Sequence, residues 1–154
     1  MNPKTKLAVT IGAAAAAAAT SLVVTYEGYV PWVHHDPIGR LAACYGHDDP
    51  KLKPGTRYTK AQCVEMLEED LAKHAEALDC FKHQLTDGQK AAVISFAFNV
   101  GVKAVCTSTL ARKANAGAQP LEWCAELKRW VYAGGKQLPG LVNRREAEYR
   151  LCTS

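Results

Sequence analysis

Residues 7–24 carry no charge, and seven consecutive alanines occupy positions 13–19 within that run, accompanied by Thr10, Gly12, Thr20 and Ser21. Eighteen residues lie near the lower length at which an α-helix spans the hydrocarbon core of a bilayer. Lys4 and Lys6 precede the run, and cationic residues ahead of an apolar stretch mark an export signal whose positive end stays on the cytoplasmic side. Three fates fit: a cleaved signal peptide, a permanent anchor, or a weak anchor able to leave the membrane. Alanine contributes little to insertion, and Gly, Ser and Thr contribute less, so a bilayer holds this run loosely.

The remainder is long enough for one domain with its own core. The chain has 154 residues, 48% hydrophobic and 22% charged, with a formal net charge of +4; this is a globular composition, not a disordered one. The small cationic excess suits an acidic surface such as a cell wall, a membrane or nucleic acid. No nucleic-acid-binding module or extended basic run is present, and nucleic acid is not expected as a partner.

The six cysteines, Cys44, Cys63, Cys80, Cys106, Cys124 and Cys152, form no C-x-x-C pair, which argues against zinc and thioredoxin-like sites. An even number points to as many as three disulfides in an oxidising compartment. Fifteen pairings are possible. The expected one joins neighbours, Cys44–Cys63, Cys80–Cys106 and Cys124–Cys152, with buried free thiols as the alternative.

Between residues 29 and 58, Gly, Pro, Asp and His interrupt short apolar runs, the pattern of a small sheet with tight turns. Helical signals dominate afterwards. Thr59 and Gln62 form one capping box and Thr86 and Gln89 another. Val64, Leu67, Leu71, Ala75 and Leu78 recur at helical spacing, as a core-facing stripe does. Residues 91–100 are apolar on nearly every side, so this helix is expected at the domain centre, ended by Gly101. Ser108 is placed to cap a short helix closed by Gly117. Pro120 suits the first turn of a helix over 121–132, Gly134-Gly135 breaks the chain, and 141–151 forms a last helix. The expected fold class is α+β: a small β lobe and a larger helical lobe over 26–154, preceded by a weakly hydrophobic signal-anchor helix in residues 1–25.

Two carboxylates, Glu27 and Asp36, are separated by eight intervening residues, directly after the apolar run and ahead of a Tyr45-Gly46-His47 turn. Glycosidic cleavage requires one carboxyl that donates a proton and a second, ionised one that activates water or stabilises developing positive charge. Glu27, at the end of an apolar segment, suits the acid because desolvation favours the protonated carboxyl. Asp36, among His34, His35 and polar turn residues, suits the ionised role. A lone pair at this spacing is usually solvated surface; the conjunction with Gly28, Gly39 and the Tyr-Gly-His turn is more specific. Cleavage near the alanines would remove the helix that carries Glu27, and a permanent anchor would pin Glu27 against the bilayer. A releasable anchor avoids both.

On these residues the chain resembles the phage-type lysozymes of glycoside hydrolase family 24, the endolysins that open a host cell wall. That family's pattern is Glu, eight residues, Asp, five residues, Thr, then a Gly-His turn. Glu27, Asp36 and Gly46-His47 match it. Ser95-Phe96-Ala97-Phe98-Asn99-Val100-Gly101 is similar to the family's central helix, and Gly140-Leu141-Val142-Asn143-Arg144-Arg145-Glu146-Ala147-Glu148 to its C-terminal signature. The resemblance spans about residues 25–152. It implies a muramidase acting on peptidoglycan without metal or cofactor, with Glu27 as general acid, Asp36 positioning water, and Arg144 pairing with Glu27, or Arg145 if the register slips. It also implies a structural His47 bonded to Asp70.

Ala42 departs from the pattern, because the family carries a threonine there and alanine has no hydroxyl to hold the attacking water. Water-positioning groups typically contribute ~10²–10⁴-fold, so impaired turnover is one expectation. A lytic transglycosylase and a catalytically dead wall-binding module are alternatives. The anchor abutting Glu27 resembles the signal-arrest-release endolysins, which are tethered in the host inner membrane facing the periplasm and then released. Residues 7–24 would contact that membrane, the Ala-rich segment would become the domain's first helix on release, and the released protein is expected to be a monomer. No cysteine precedes Cys44, so control by thiol exchange from the anchor is excluded.

Overall fold

The structure is a computed structural model that describes residues 2–154. In place of the one signal-anchor helix expected in residues 1–25, the structure has two helices, α1 (Pro3–Ile11) and α2 (Ala13–Tyr26). The break is Gly12, at φ +94° and ψ 148°, a conformation open to glycine and strained for residues with a side chain. The side chain of Lys4 lies outside the described residues. Lys90 Nζ donates to the Ile11 carbonyl at 3.4 Å, satisfying one of the acceptors that α1 leaves open at its C-terminus.

Both helices are part of the domain. Leu7 and Ile11 of α1 and Ala15, Ala16, Ala19 and Val23 of α2 are buried. Alanines four apart share a helix face, and their small side chains let α2 lie close against α4 (Asp87–Val100), while α1 packs on α3 (Lys60–His74). Among the described residues, no helix is long and apolar enough to cross a membrane.

The segment after α2 forms an antiparallel sheet in the order β1 (Val30–His35), β2 (Leu41–Cys44), β3 (His47–Asp48). Six α-helices and two 3₁₀ segments follow among the described residues. Both capping boxes are present: Thr59 and Gln62, and Thr86 and Gln89, exchange backbone–side-chain bonds at the starts of α3 and α4. Of the α3 stripe, Leu67, Leu71 and Ala75 are buried, and Val64 and Leu78 pack on the core edge. Ala91 to Ala97 of α4 are all buried. Ala91 and Ile94 join the core under α1, α2 and the sheet, and Ala92, Val93, Phe96 and Ala97 join the core around Trp123. α4 is therefore the spine shared by the two lobes, and each such fully buried large side chain contributes about 1.5–3 kcal/mol.

The three disulfides are Cys44–Cys63, Cys80–Cys106 and Cys124–Cys152. They tie β2 to α3, the 3₁₀ segment after α3 to α5 (Val102–Cys106), and α7 (Pro120–Cys124) to α8 (Pro139–Cys152). Ser108 accepts from the Ala111 amide and caps α6 (Thr109–Asn115).

One expected helix is shorter than its pattern. The run 121–132 gives only α7 and a 3₁₀ turn over Ala125–Arg129, then β4 (Tyr132–Ala133). Tertiary contacts end it: the Trp130 ring packs edge-on against Phe96 at 5.2 Å, and its carbonyl accepts from Arg145 Nε at 3.0 Å. Gly134 and Gly135, at φ +57° and +77°, make the two-residue turn to β5 (Lys136–Gln137), which needs positive φ at both positions.

Candidate active site

Glu27 is the C-cap residue of α2, its amide bonded to the Val23 carbonyl at 2.8 Å. The burial of α2 thus fixes where its carboxylate emerges. The side chain is 23% exposed and its Oε1 accepts from Arg144 Nη1 at 2.5 Å. Oε2 faces the Tyr45-Gly46-His47 turn, where a Cβ on Gly46 would lie 4.0 Å away. Gly46 has φ +74°, so the turn brings bare backbone up to the carboxylate. The Tyr29 and Tyr45 rings pack against one another at 5.1 Å. An open pocket of about 390 Å³ beside Glu27 is lined by Thr25, Tyr26, Asn99, Leu138, Leu141 and Arg144, among others.

Asp36 opens the loop between β1 and β2. Its Oδ1 accepts from the amides of Ile38 at 3.0 Å and Arg40 at 2.8 Å, an Asx-type turn closed by Asp36 N to Arg40 O at 2.8 Å. One oxygen is thereby committed to the backbone and the carboxylate's direction is set. Ala42 lies on β2, paired with His34 on β1 and Asp48 on β3, and is 6% exposed. The hydroxyls of Thr107, Ser108 and Thr109, which the sequence offers as possible substitutes for the missing one, are engaged locally: Thr107 Oγ1 donates to Lys103 O, Ser108 Oγ to Val105 O, and Thr109 Oγ1 accepts from Arg112.

His47 Nδ1 lies 2.8 Å from Asp70 Oδ2, joining β3 to α3. Lys73 approaches the other oxygen of Asp70 at 3.6 Å. The hydrogen bond to Asp70 raises the His47 pKa above its ordinary value, against the opposing effect of burial.

Arg144, not Arg145, reaches Glu27. Arg144 Nη2 donates to the Ser95 carbonyl at 2.9 Å and Nε to Glu148 Oε1 at 3.2 Å. Arg145 turns to Glu148 Oε2 at 2.7 Å, to Asn99 Oδ1, and over the Phe96 ring at 4.9 Å. Burial holds the Arg145 guanidinium below its ordinary pKa, with Glu148 opposing that effect. Reading the sequence for site residues passed over Glu148 and Ser95. The available signal was Arg144 and Arg145 set four and three residues before a glutamate on one helix, spacings that place side chains together. Among the described residues, no cluster of three or more His, Cys, Asp or Glu side chains converges as a metal site.

The sequence profile described as phage lysozyme matches residues 24–148. The chain belongs to the phage lysozyme family. As a phage lysozyme it is a lysozyme-type glycosidase, a peptidoglycan-lysing endolysin. It is similar to the SAR-endolysin of bacteriophage PS119, 41% identical over 120 residues, 77% of this chain and 71% of the relative. It is also similar to the SAR-endolysin of enterobacteria phage P21, 37% identical over 155 residues, 95% of this chain and 92% of the relative. Among solved structures, the muramidase domain of SpmX from Asticaccaulis excentricus superposes with a TM-score of 0.81 at 29% identity, covering 89% of this chain and 95% of that one. The active form of P1 phage endolysin Lyz, at 24% identity and TM-score 0.77 over 95% and 92% of the two chains, shares the fold.

Proposed function

We propose that this phage lysozyme hydrolyses the β-1,4 bond between N-acetylmuramic acid and N-acetylglucosamine, with inversion, and that it is held inactive while residues 7–24 lie in the host inner membrane. Glu27 donates the proton to the leaving oxygen, and the Asp36 oxygen left outside the Asx turn orients the attacking water. Arg144 fixes the Glu27 carboxylate, and His47 with Asp70 holds the sheet against α3. Residues 1–25 are the regulatory segment, which on release packs into the core of the muramidase domain of residues 26–154, and the enzyme acts as a monomer on the periplasmic side.

The observation that carries the proposal is that α2 is both buried against α4 and the helix whose last turn carries Glu27. A segment cannot lie in a bilayer and in the protein core at once, so insertion and a formed acid site exclude one another. The relatives named SAR-endolysin support the same control.

Fractionation of cells expressing the full chain tests the control. The expected result is unprocessed, membrane-bound protein that becomes soluble at unchanged mass after a protonophore; loss of the first ~20 residues would favour a cleaved signal instead.

Ala42 favours a second reading. Without a hydroxyl at this position, water is held less well, and a lytic transglycosylase needs only the glutamate. Digested peptidoglycan distinguishes them by mass: reducing ends for hydrolysis, 1,6-anhydro ends for transglycosylation. Clearing of permeabilised Gram-negative cells is expected to rise in Ala42→Thr by ~10²-fold or more if the hydroxyl positions water. Clearing by neither protein would leave a wall-binding module and overturn the enzymatic reading of this chain.

A further inference from the structure

Glu148 is fully buried, with 0% of its surface exposed, and does not touch the pocket beside Glu27. Both of its oxygens are used. Oε1 accepts from Ser95 Oγ at 2.7 Å and Arg144 Nε at 3.2 Å, and Oε2 from Arg145 Nη1 at 2.7 Å. The Arg144 guanidinium is consequently fixed along two edges, by Glu148 and by the Ser95 carbonyl, leaving Nη1 for Glu27.

We propose that Glu148 is a positioning residue for the hydrolytic step: it orients Arg144 and balances the charge of Arg145, so that Glu27 meets one guanidinium in one geometry. The proposal rests on the reading of Glu27 as the proton donor. The charged groups concerned are Glu27 at the end of α2 and Arg144, Arg145 and Glu148 on α8, two of each sign. The neutral groups around them are Ser95 and Asn99 from α4, the Trp130 carbonyl, and the Gly46 turn of the sheet. Removing the Glu148 charge leaves the two cations, Arg144 in contact with Glu27 and Arg145 behind it, with Glu27 as the one carboxylate of the cluster. Coulomb attraction is strong at such range in a water-poor site, and it resists the protonation that a general acid requires. Without its carboxylate partner at Nε, Arg144 is also free to rotate away from Glu27.

The test uses the full chain, as it stands and carrying Ala42→Thr, on purified peptidoglycan with reducing ends as the readout. Glu148→Gln keeps the shape and one acceptor but removes the charge. The expected result is a folded protein with kcat lowered roughly tenfold or more, KM within about twofold of the parent, and the alkaline limb of the kcat/KM profile moved to lower pH. Glu148→Gln combined with Arg145→Gln restores charge balance and is expected to return that limb towards the parent's position. A folded Glu148→Gln with parental kcat and pH limb overturns the proposal. If Glu148→Gln gives no cooperative melt, Glu148→Asp carries the test: its shorter side chain keeps the charge, so kcat falls while the pH limb stays in place. Parental kcat in folded Glu148→Asp, or failure of both variants to fold, assigns Glu148 a purely structural role and overturns the proposal. Glu27→Gln separates the two readings. If it stays active, the assignment of the acid has failed; if it is inactive while Glu148→Gln behaves as the parent, only the positioning role has failed.

Discussion

Arg144 Nη1 donates to Glu27 Oε1 at 2.5 Å across 117 residues of sequence, joining the last helix to the end of the second. The Arg144 side chain is 3% exposed and that of Glu27 23%. The acid candidate is thus partly open to a substrate while its partner is sealed in the core. Truncating a buried, hydrogen-bonded ion typically costs about 3–5 kcal/mol, because its partners stay buried and uncompensated. Arg144→Ala is expected to lose stability on that scale in chemical denaturation and to lose clearing activity. Arg144→Lys keeps the charge but lacks the planar fork that serves Glu27, Glu148 and Ser95 together, and is expected to fold with reduced turnover.

His47 and Asp70 make stability depend on pH. Folding raises the His47 pKa, chiefly through the hydrogen bond to Asp70. A raised pKa in the folded state means that the native protein binds the proton more tightly than the unfolded chain. The contribution is complete below the unfolded histidine value of about 6.5 and is lost as pH rises through the folded value. Melting temperatures across pH 5.5 to 8.5 should fall towards the alkaline end. Asp70→Asn should flatten that slope and cost about 1.5–3 kcal/mol at the acidic end, as for other hydrogen bonds to charged groups. An unchanged slope in Asp70→Asn would assign the dependence to another group.

Gly88, in the first turn of α4, abuts the end of α8. A Cβ there would overlap the Leu151 carbonyl oxygen and come within 2.9 Å of Ser154 Oγ. The obstruction is backbone, so relief requires moving a helix, and overpacking of this kind costs about 1–3 kcal/mol. Gly140→Ala is the control: it lies in α8 with nothing within 4 Å of a new Cβ, and is expected to be neutral or stabilising by up to about 1 kcal/mol. Thermal melts of the two variants should move in opposite directions or differ clearly in size.

Gly12 sets the bend between α1 and α2 at φ +94°. Gly12→Ala is expected to destabilise the soluble domain by about 1–3 kcal/mol through backbone strain, while favouring a continuous helix over residues 3–26. Under the proposed membrane control, the same substitution should slow the appearance of soluble, active protein after a protonophore. Parental melting and parental release kinetics would both count against a special role for the bend.

Much of the fold was legible along the chain because its signals are local. The Thr59 and Thr86 capping boxes, the Ser108 cap, the α3 stripe and the breakers between 29 and 58 each act within a few residues, and the structure shows the corresponding helix starts, core face and three-stranded sheet. The neighbour pairing of cysteines also holds. The helix expected over 121–132 stops early because Trp130 is drawn to Phe96 and Arg145, partners far away in sequence.

The sequence by itself determined the succession of a small sheet and a run of helices, the lysozyme-type pattern of Glu27, Asp36 and Gly46-His47, the alanine at position 42 and the absence of charge over residues 7–24. Only the tertiary structure decided which arginine meets Glu27, since Arg144 and Arg145 are adjacent in sequence and a turn of about 100° along the helix sends one to the site and the other to Asn99 and Trp130. It also decided that the uncharged run is bent at Gly12 and buried against α3 and α4. The physical reason is the same in both cases. Low charge and small side chains suit a bilayer and a protein core alike, and two equal cations are distinguished only by the carboxylates and carbonyls that folding brings within reach.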